Sequence, residues 1–131
     1  MPSLFTKIIN GEIPSYKVYE DELVFAFLDI FPFQPGHTLI VPKIEVDYFV
    51  DVPEPYYTAV FNTAKKLAPA IQKASNSLRV GMMVQGVDVP HFHLHLIPIF
   101  ENQPFTGKKK SLEKSQMSEI QDAIISYLDQ A

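Results

Sequence analysis

The sequence predicts an α+β fold, an antiparallel five-stranded sheet with one long helix and a C-terminal helix. Short runs rich in β-branched and aromatic residues alternate with polar turns, the pattern of neighbouring antiparallel strands. Two apolar repeats at helical spacing stand apart from those runs, between Glu54 and Ala74 and between Met117 and Leu128; strands and helices kept in separate blocks indicate α+β. A composition of 47% hydrophobic residues in a chain of 131 supplies material for one core. The length predicts a single domain over 1–131, with its core at about 4–99 and a C-terminal loop and helix at about 100–131.

Leu4 to Asn10 carries apolar residues at 4, 5, 8 and 9, a short amphipathic helix stopped by Asn10-Gly11. Tyr16 to Tyr19 and Leu23 to Asp29 form a predicted hairpin around Glu20-Asp21-Glu22, an acidic tip that water has to screen. The segment from Phe31 to Gly36 is a rigid proline connection, and Thr38 to Val41 is a third strand ended by Pro42, with His37 at its start. Glu54 to about Ala74 holds Tyr57, Val60, Phe61, Ala64, Leu67, Ala68 and Ile71 at helical spacing, after a start supplied by Asp51 and two prolines. Pro69 removes a backbone donor from this helix, so a kink or break is expected there. Leu78 to Val84 is apolar on both faces apart from Arg79 and Gly81, which suits a central strand. The turn from Gln85 to Pro90 leads into the fifth strand, Lys108-Lys109-Lys110 lies in a loop, and apolar residues at 117, 120, 124 and 128 mark the terminal helix. No repeat or low-complexity segment appears.

Bulk charge narrows the partners. With 11 basic and 15 acidic residues the formal charge is -4, which implies no general attraction to a nucleic-acid polymer or an anionic membrane. There is no cysteine, so neither a disulfide nor a thiolate metal site is available, and the cytoplasm is the expected compartment. Met1-Pro2-Ser3-Leu4 lacks a basic region followed by an apolar run, and no run of about 18 apolar residues occurs, so neither export nor membrane spanning is expected.

The fifth strand carries the chemistry. His91-Phe92-His93-Leu94-His95-Leu96-Ile97 sets three of the four histidines at alternate positions. Successive strand side chains face opposite ways, so the imidazoles share one face while Phe92, Leu94 and Leu96 share the other. At roughly 3.4 Å per residue the outer two imidazoles are attached roughly 13 to 14 Å apart. Ligands of one zinc ion must each reach within about 2.1 Å of it, so a linear polar substrate such as a phosphate ester suits the row better than a metal.

These residues resemble the histidine triad (HIT) nucleotide hydrolases and transferases, whose signature is His-φ-His-φ-His-φ-φ. The run from Pro35 to Lys43 resembles the family's second motif, Phe27-Leu28-Asp29-Ile30 its ribose-binding segment, and the opening from Leu4 to Pro14 is also typical. The resemblance runs from about Leu4 to Ile99. It implies that His93, the middle histidine, is the nucleophile that becomes transiently nucleotidylated before water releases the nucleoside monophosphate. It also implies that His95 contacts the phosphate and leaving group, and that His37 and His91 support the cluster. Mutual repulsion should keep most of the rings neutral near pH 7.

In the family the Asp29 position binds the ribose hydroxyls, although an aspartate here can equally cap the turn before Phe31-Pro32. Leu4, Phe5, Phe27 and Ile30 resemble the apolar walls around the base, and by themselves read as ordinary core. Gln85 falls where the family often has a polar residue touching phosphate, with a plain turn residue as the alternative. Two departures stand out. Ser3 and Thr6 occupy the positions of a Cys-x-x-Cys zinc site found in some bacterial members, so no metal is expected. The loop before the triad is short, and Asp88 stands where serine or threonine assists the leaving group. An ionised carboxylate there would repel a polyphosphate and favour amines, unless it is only an exposed turn aspartate. The Lys108 to Lys110 run either offsets that charge or is solvated.

The resemblance thus implies a cytoplasmic nucleoside phosphoramidate-type hydrolase or transferase. It would attack the α-phosphorus of a purine, AMP-like nucleotide through a nucleotidyl-histidine intermediate, with no cofactor. A dinucleoside polyphosphate hydrolase and a nucleotide-binding interaction module with incidental catalysis are the other readings. The family habit of joining subunits into a continuous sheet, and the two apolar faces of Leu78 to Val84, lead to an expected homodimer.

Overall fold

The computed structural model describes residues 2–86, 88–101 and 103–130. Helix α1 (Leu4–Ile9) begins where the Ser3 hydroxyl accepts the Thr6 N–H at 3.1 Å, and ends at Gly11, whose φ of 80° is the left-handed conformation that glycine adopts without strain. Strands β1 (Lys17–Glu20) and β2 (Val24–Leu28) form the predicted hairpin. At its tip Asp21 Oδ1 accepts the N–H groups of Leu23 and Val24 at 2.8 and 3.0 Å. Lys17 and Lys43 pair with Glu20, so lysines as well as water offset the acidic turn.

Strand β3 (Thr38–Pro42) follows the proline connection, a 3₁₀ turn occupies Phe49–Asp51, and helix α2 spans Tyr56–Ser75. Asp51 belongs to that turn; it is Glu54 whose carboxylate accepts the Thr58 N–H at 2.9 Å in the first turn of α2. The expected break at Pro69 is absent. Pro69 and Lys65 are both exposed, so the carbonyl that loses its helical partner is open to water, while buried Leu67, Ala70 and Ile71 anchor the helix on both sides of it. Strands β4 (Arg79–Val84) and β5 (Leu94–Ile99) and helix α3 (Lys114–Asp129) complete the chain.

All strand pairs are antiparallel, in the order β1-β2-β3-β5-β4. Two expectations change. β4 is an edge strand, not a central one, and leaves Leu78, Met82 and Val84 exposed at 58%, 58% and 43%. β5 begins at Leu94, so His91, in a bend, and His93 precede the ladder. The alternation nevertheless holds: Phe92, Leu94 and Leu96 enter the larger core.

That core lies between the sheet and helices α2 and α3. Val24, Ala26, Leu28 and Ile40 meet Val60, Ala64, Leu67 and Ile71 of α2 and Met117 and Ile124 of α3. Burying each large aliphatic side chain contributes about 1.5–3 kcal/mol. The opposite face has a smaller cluster in which Phe5 and Ile8 of α1 cover Phe25, Phe27, Leu39 and Val41. Period-two alternation along β2 therefore serves two layers at once, and α1, covering only part of its face, leaves a cleft beside it. Among the described residues no helix is long and apolar enough to cross a membrane.

Candidate functional site

Strand register builds the cleft floor. Phe27 pairs with Leu39, Leu39 with His95, and His95 with Met83, and all four line a cleft of about 380 Å³ on the α1 side of the sheet. That volume lies in the range of small-molecule sites. Leu4, Phe5, Asp29, Ile30, His37, Gln85, Asp88 and His93 also line it. Phe5 and Phe27 belong to the core as well, whereas Leu4 and Ile30 are 46% and 56% exposed, which sets them apart from ordinary core residues. Val87 of the preceding loop lies outside the described residues.

His91 is the predicted residue that the cleft wall lacks. Its buried ring points toward the N-terminus, with Nε2 donating to the Pro42 carbonyl at 2.8 Å and Nδ1 accepting from the Ser3 hydroxyl at 2.9 Å. Glu45 ties this end down by accepting the Ser3 N–H at 2.6 Å and the Thr6 hydroxyl at 2.7 Å. Ser3 and Thr6 thus meet His91 through hydroxyls.

Partners fix the tautomers of the remaining rings. The His93 Nδ1–H donates to the backbone carbonyl of His91 at 2.8 Å, which leaves Nε2 with its lone pair. The Phe33 N–H donates to His37 Nδ1 at 3.1 Å, so His37 carries its proton on Nε2 and donates to His95 Nδ1 at 2.9 Å. His95 in turn donates from Nε2 to the Gln85 carbonyl at 3.2 Å. Ring contacts hold the same set in line: Phe5 to His93 at 4.9 Å, His93 to His95 at 5.0 Å, His95 to His37 at 5.1 Å, and Phe33 stacked on His37 at 5.5 Å.

Burial, reinforced by the neighbouring His95, holds the His37 pKa down at about 3; burial and then His93 hold His95 at about 4. Burial also lowers His91. Desolvation therefore outweighs the mutual repulsion expected from the sequence. Asp29 moves the other way, raised by burial. One of its oxygens accepts the Phe31 N–H at 2.9 Å and the other lies 3.7 Å from His37 Nε2, so it caps the turn and still faces the cleft.

Among the described residues, Asp29, His37 and His95 are the group whose ligand atoms could converge on a metal, lying within 4.8 Å of one another. Two ring nitrogens of this trio are joined by the 2.9 Å hydrogen bond, which a metal would have to replace.

Sequence reasoning missed two neighbours of the rings. Phe33 both stacks on His37 and fixes its tautomer, and its only signal is a position four residues before His37. A Cβ on Gly86 would lie 2.8 Å from Cε1 of His93, so this glycine permits the ring's close approach. Of the three lysines, Lys109 lines the cleft while Lys110 Nζ donates to the Phe33 carbonyl at 2.6 Å.

Residues 10–102 match the HIT domain family model. An uncharacterized HIT-like protein of Borreliella burgdorferi is 39% identical, over 89% of this chain and 91% of that protein. The adenosine 5′-monophosphoramidase HNT1 of Saccharomyces cerevisiae is 41% identical over 72% of this chain and 61% of its own. The crystal structure of a HIT-like protein from Bartonella henselae superposes with a TM-score of 0.88 at 32% identity, covering 95% of this chain and 94% of that one. With a family model spanning the sheet and its histidines, the chain belongs to the HIT family.

Proposed function

We propose that the protein is a nucleotide hydrolase or transferase of the phosphoramidate type, acting at the α-phosphorus of a purine nucleotide through a nucleotidyl-His93 intermediate. The observation that carries this reading is the His93 Nδ1 bond to the His91 carbonyl, which leaves an unprotonated Nε2 on a ring lining the cleft. In the first step Nε2 forms a bond to phosphorus while the bond to the leaving group breaks; the leaving group keeps that electron pair, and an amine takes up a proton as it departs. Water then attacks phosphorus, the nitrogen–phosphorus bond returns its pair to Nε2, and a nucleoside monophosphate and a proton are released.

His95 is the donor offered to a phosphate oxygen, because its long 3.2 Å bond to an exposed residue's carbonyl is easily exchanged. His37 keeps His95 in that tautomer. Asp29 takes the ribose hydroxyls, and Leu4, Phe5, Phe27 and Ile30 form the base pocket. Gln85 and Asp88 border the phosphate end. The relationship to a yeast protein named adenosine 5′-monophosphoramidase supports the substrate class. The exposed apolar edge at β4 supports a homodimer, and the absence of cysteine supports a cytoplasmic setting.

Turnover of adenosine 5′-phosphoramidate, compared with diadenosine polyphosphates, tests the reading. Release of AMP from the phosphoramidate is the expected result. Hydrolysis of the dinucleotides alone would favour the polyphosphate reading, and binding without turnover would make the protein an interaction module.

A further inference from the structure

We infer that Lys109 determines specificity for the leaving group, by pairing with negative charge on the group that departs from the α-phosphorus. This inference rests on the nucleotidyl-transfer reading and extends it to one half of the substrate.

Four contacts hold the loop that carries Lys109 against β4 and the β2–β3 connection. Gln34 Nε2 donates to Gln103 Oε1 at 3.1 Å. The Phe105 ring lies against Gly81 of β4, so closely that a Cβ there would come within 2.3 Å of it. Past Lys109, the Lys110 N–H donates to the Pro32 carbonyl at 2.8 Å, and its Nζ to the Phe33 carbonyl at 2.6 Å. A solvated loop has no need of these anchors. Lys109 is thereby fixed between the Phe105 and Lys110 contacts, with its Nζ 6.0 Å from the centre of the Phe33 ring that stacks on His37.

Charge accounting gives that position its consequence. The other basic groups on the cleft wall are the histidines, and His37 and His95 are neutral at pH 7. Lys109 is the one lysine or arginine among the described residues that line the cleft, and it has no carboxylate within 4.0 Å among them. Its charge acts on Asp29, His37 and His95 alike, and His95 is the ring that the proposed mechanism sets against the phosphate. An ammonium that no carboxylate among the described residues pairs with, beside the neutral rings of His37 and His95, suits an oxyanion. It lets a sulfate or phosphate depart with the electron pair of the broken phosphorus–oxygen bond, a step for which an amine leaving group has no use. Exposed Asp88 on the facing loop opposes this, so the two residues set the balance.

The test compares adenylyl sulfate, with an anionic leaving group, and adenosine 5′-phosphoramidate in the wild type, Lys109→Met, Lys109→Arg and Asp88→Asn. Lys109→Met should lower kcat/KM for adenylyl sulfate about 10- to 100-fold and change that for the phosphoramidate by less than about 3-fold. Lys109→Arg should restore most of the loss, Asp88→Asn should raise sulfate release, and added salt should weaken the wild-type preference. Equal effects on both substrates, or none, would overturn the role of Lys109 while leaving the hydrolase reading intact. A wild type that releases AMP from the phosphoramidate but not the sulfate would also overturn it. Turnover of neither substrate would remove both.

Discussion

His93 Nδ1 lies 2.8 Å from the carbonyl oxygen of His91, a bond between a side chain and the backbone of its second neighbour. The group that sets the tautomer of the middle ring is therefore a peptide carbonyl, which no substitution at position 91 removes. His91→Ala should keep that bond and lose only the ring's anchors on Ser3 and Pro42. A rate loss of about 10- to 1000-fold is expected for it. His93→Ala should abolish turnover and still bind nucleotide, because Asp29 and the apolar walls are untouched. Steady-state kinetics with a parallel binding titration would separate the two, and equal losses would contradict the assignment.

Gly86 lies against the same ring. Because an added Cβ would meet His93 Cε1 at 2.8 Å, Gly86→Ala must displace the ring. The expected result is a fall in kcat of about 10- to 100-fold with little change in thermal midpoint, since Gly86 is exposed. Loss of folding, measured by thermal melting, would contradict a purely local effect.

The neutral histidines give stability a pH dependence of definite sign. His37 and His95 have ordinary values of 6.5 and folded values of about 3 and about 4. Between those limits the unfolded chain binds more protons, so their contribution is complete above about pH 6.5 and is lost as pH falls toward the folded values. Each adds a slope of at most about 1.4 kcal/mol per pH unit, opposed at the acid end by the raised pKa of Asp29. Urea midpoints should fall from pH 7 to pH 5, and His37→Gln should flatten the trend. A wild-type midpoint unchanged over that range would refute the buried neutral state.

The outward edge of β4 predicts self-association. Met82 and Val84 are exposed on a strand with a free edge, as is Leu78 just before it, and an unprotected edge would invite pairing. Light scattering at micromolar concentration should give about twice the 14.9 kDa mass, and Met82→Lys should shift it toward the monomer. A monomeric wild type would remove the dimer.

Much of this was legible because alternation has a physical meaning that survives imperfect strand assignment. His91 to Ile97 put Phe92, Leu94 and Leu96 into the core even though the ladder starts only at Leu94. Asp29, His37 and His95 line one cleft. What stayed hidden depends on tertiary packing. An apolar two-faced strand reads the same whether paired on both sides within one chain or awaiting a partner, so the sequence does not reveal that β4 is the edge of this chain's sheet. Nothing in the spacing of Phe33, Gly86 or Lys109 reveals which ring each will meet, because loops far apart in sequence set those contacts.

The most direct test of the central claim is to trap the intermediate. A nitrogen–phosphorus bond on imidazole hydrolyses in acid and survives in base, so wild-type enzyme turning over adenosine 5′-phosphoramidate should be quenched in alkali, digested and sequenced by mass spectrometry. The predicted result is a nucleotidyl group on His93. Its appearance on His95 or His37, or turnover with no histidine adduct under conditions that preserve the bond, would contradict the account.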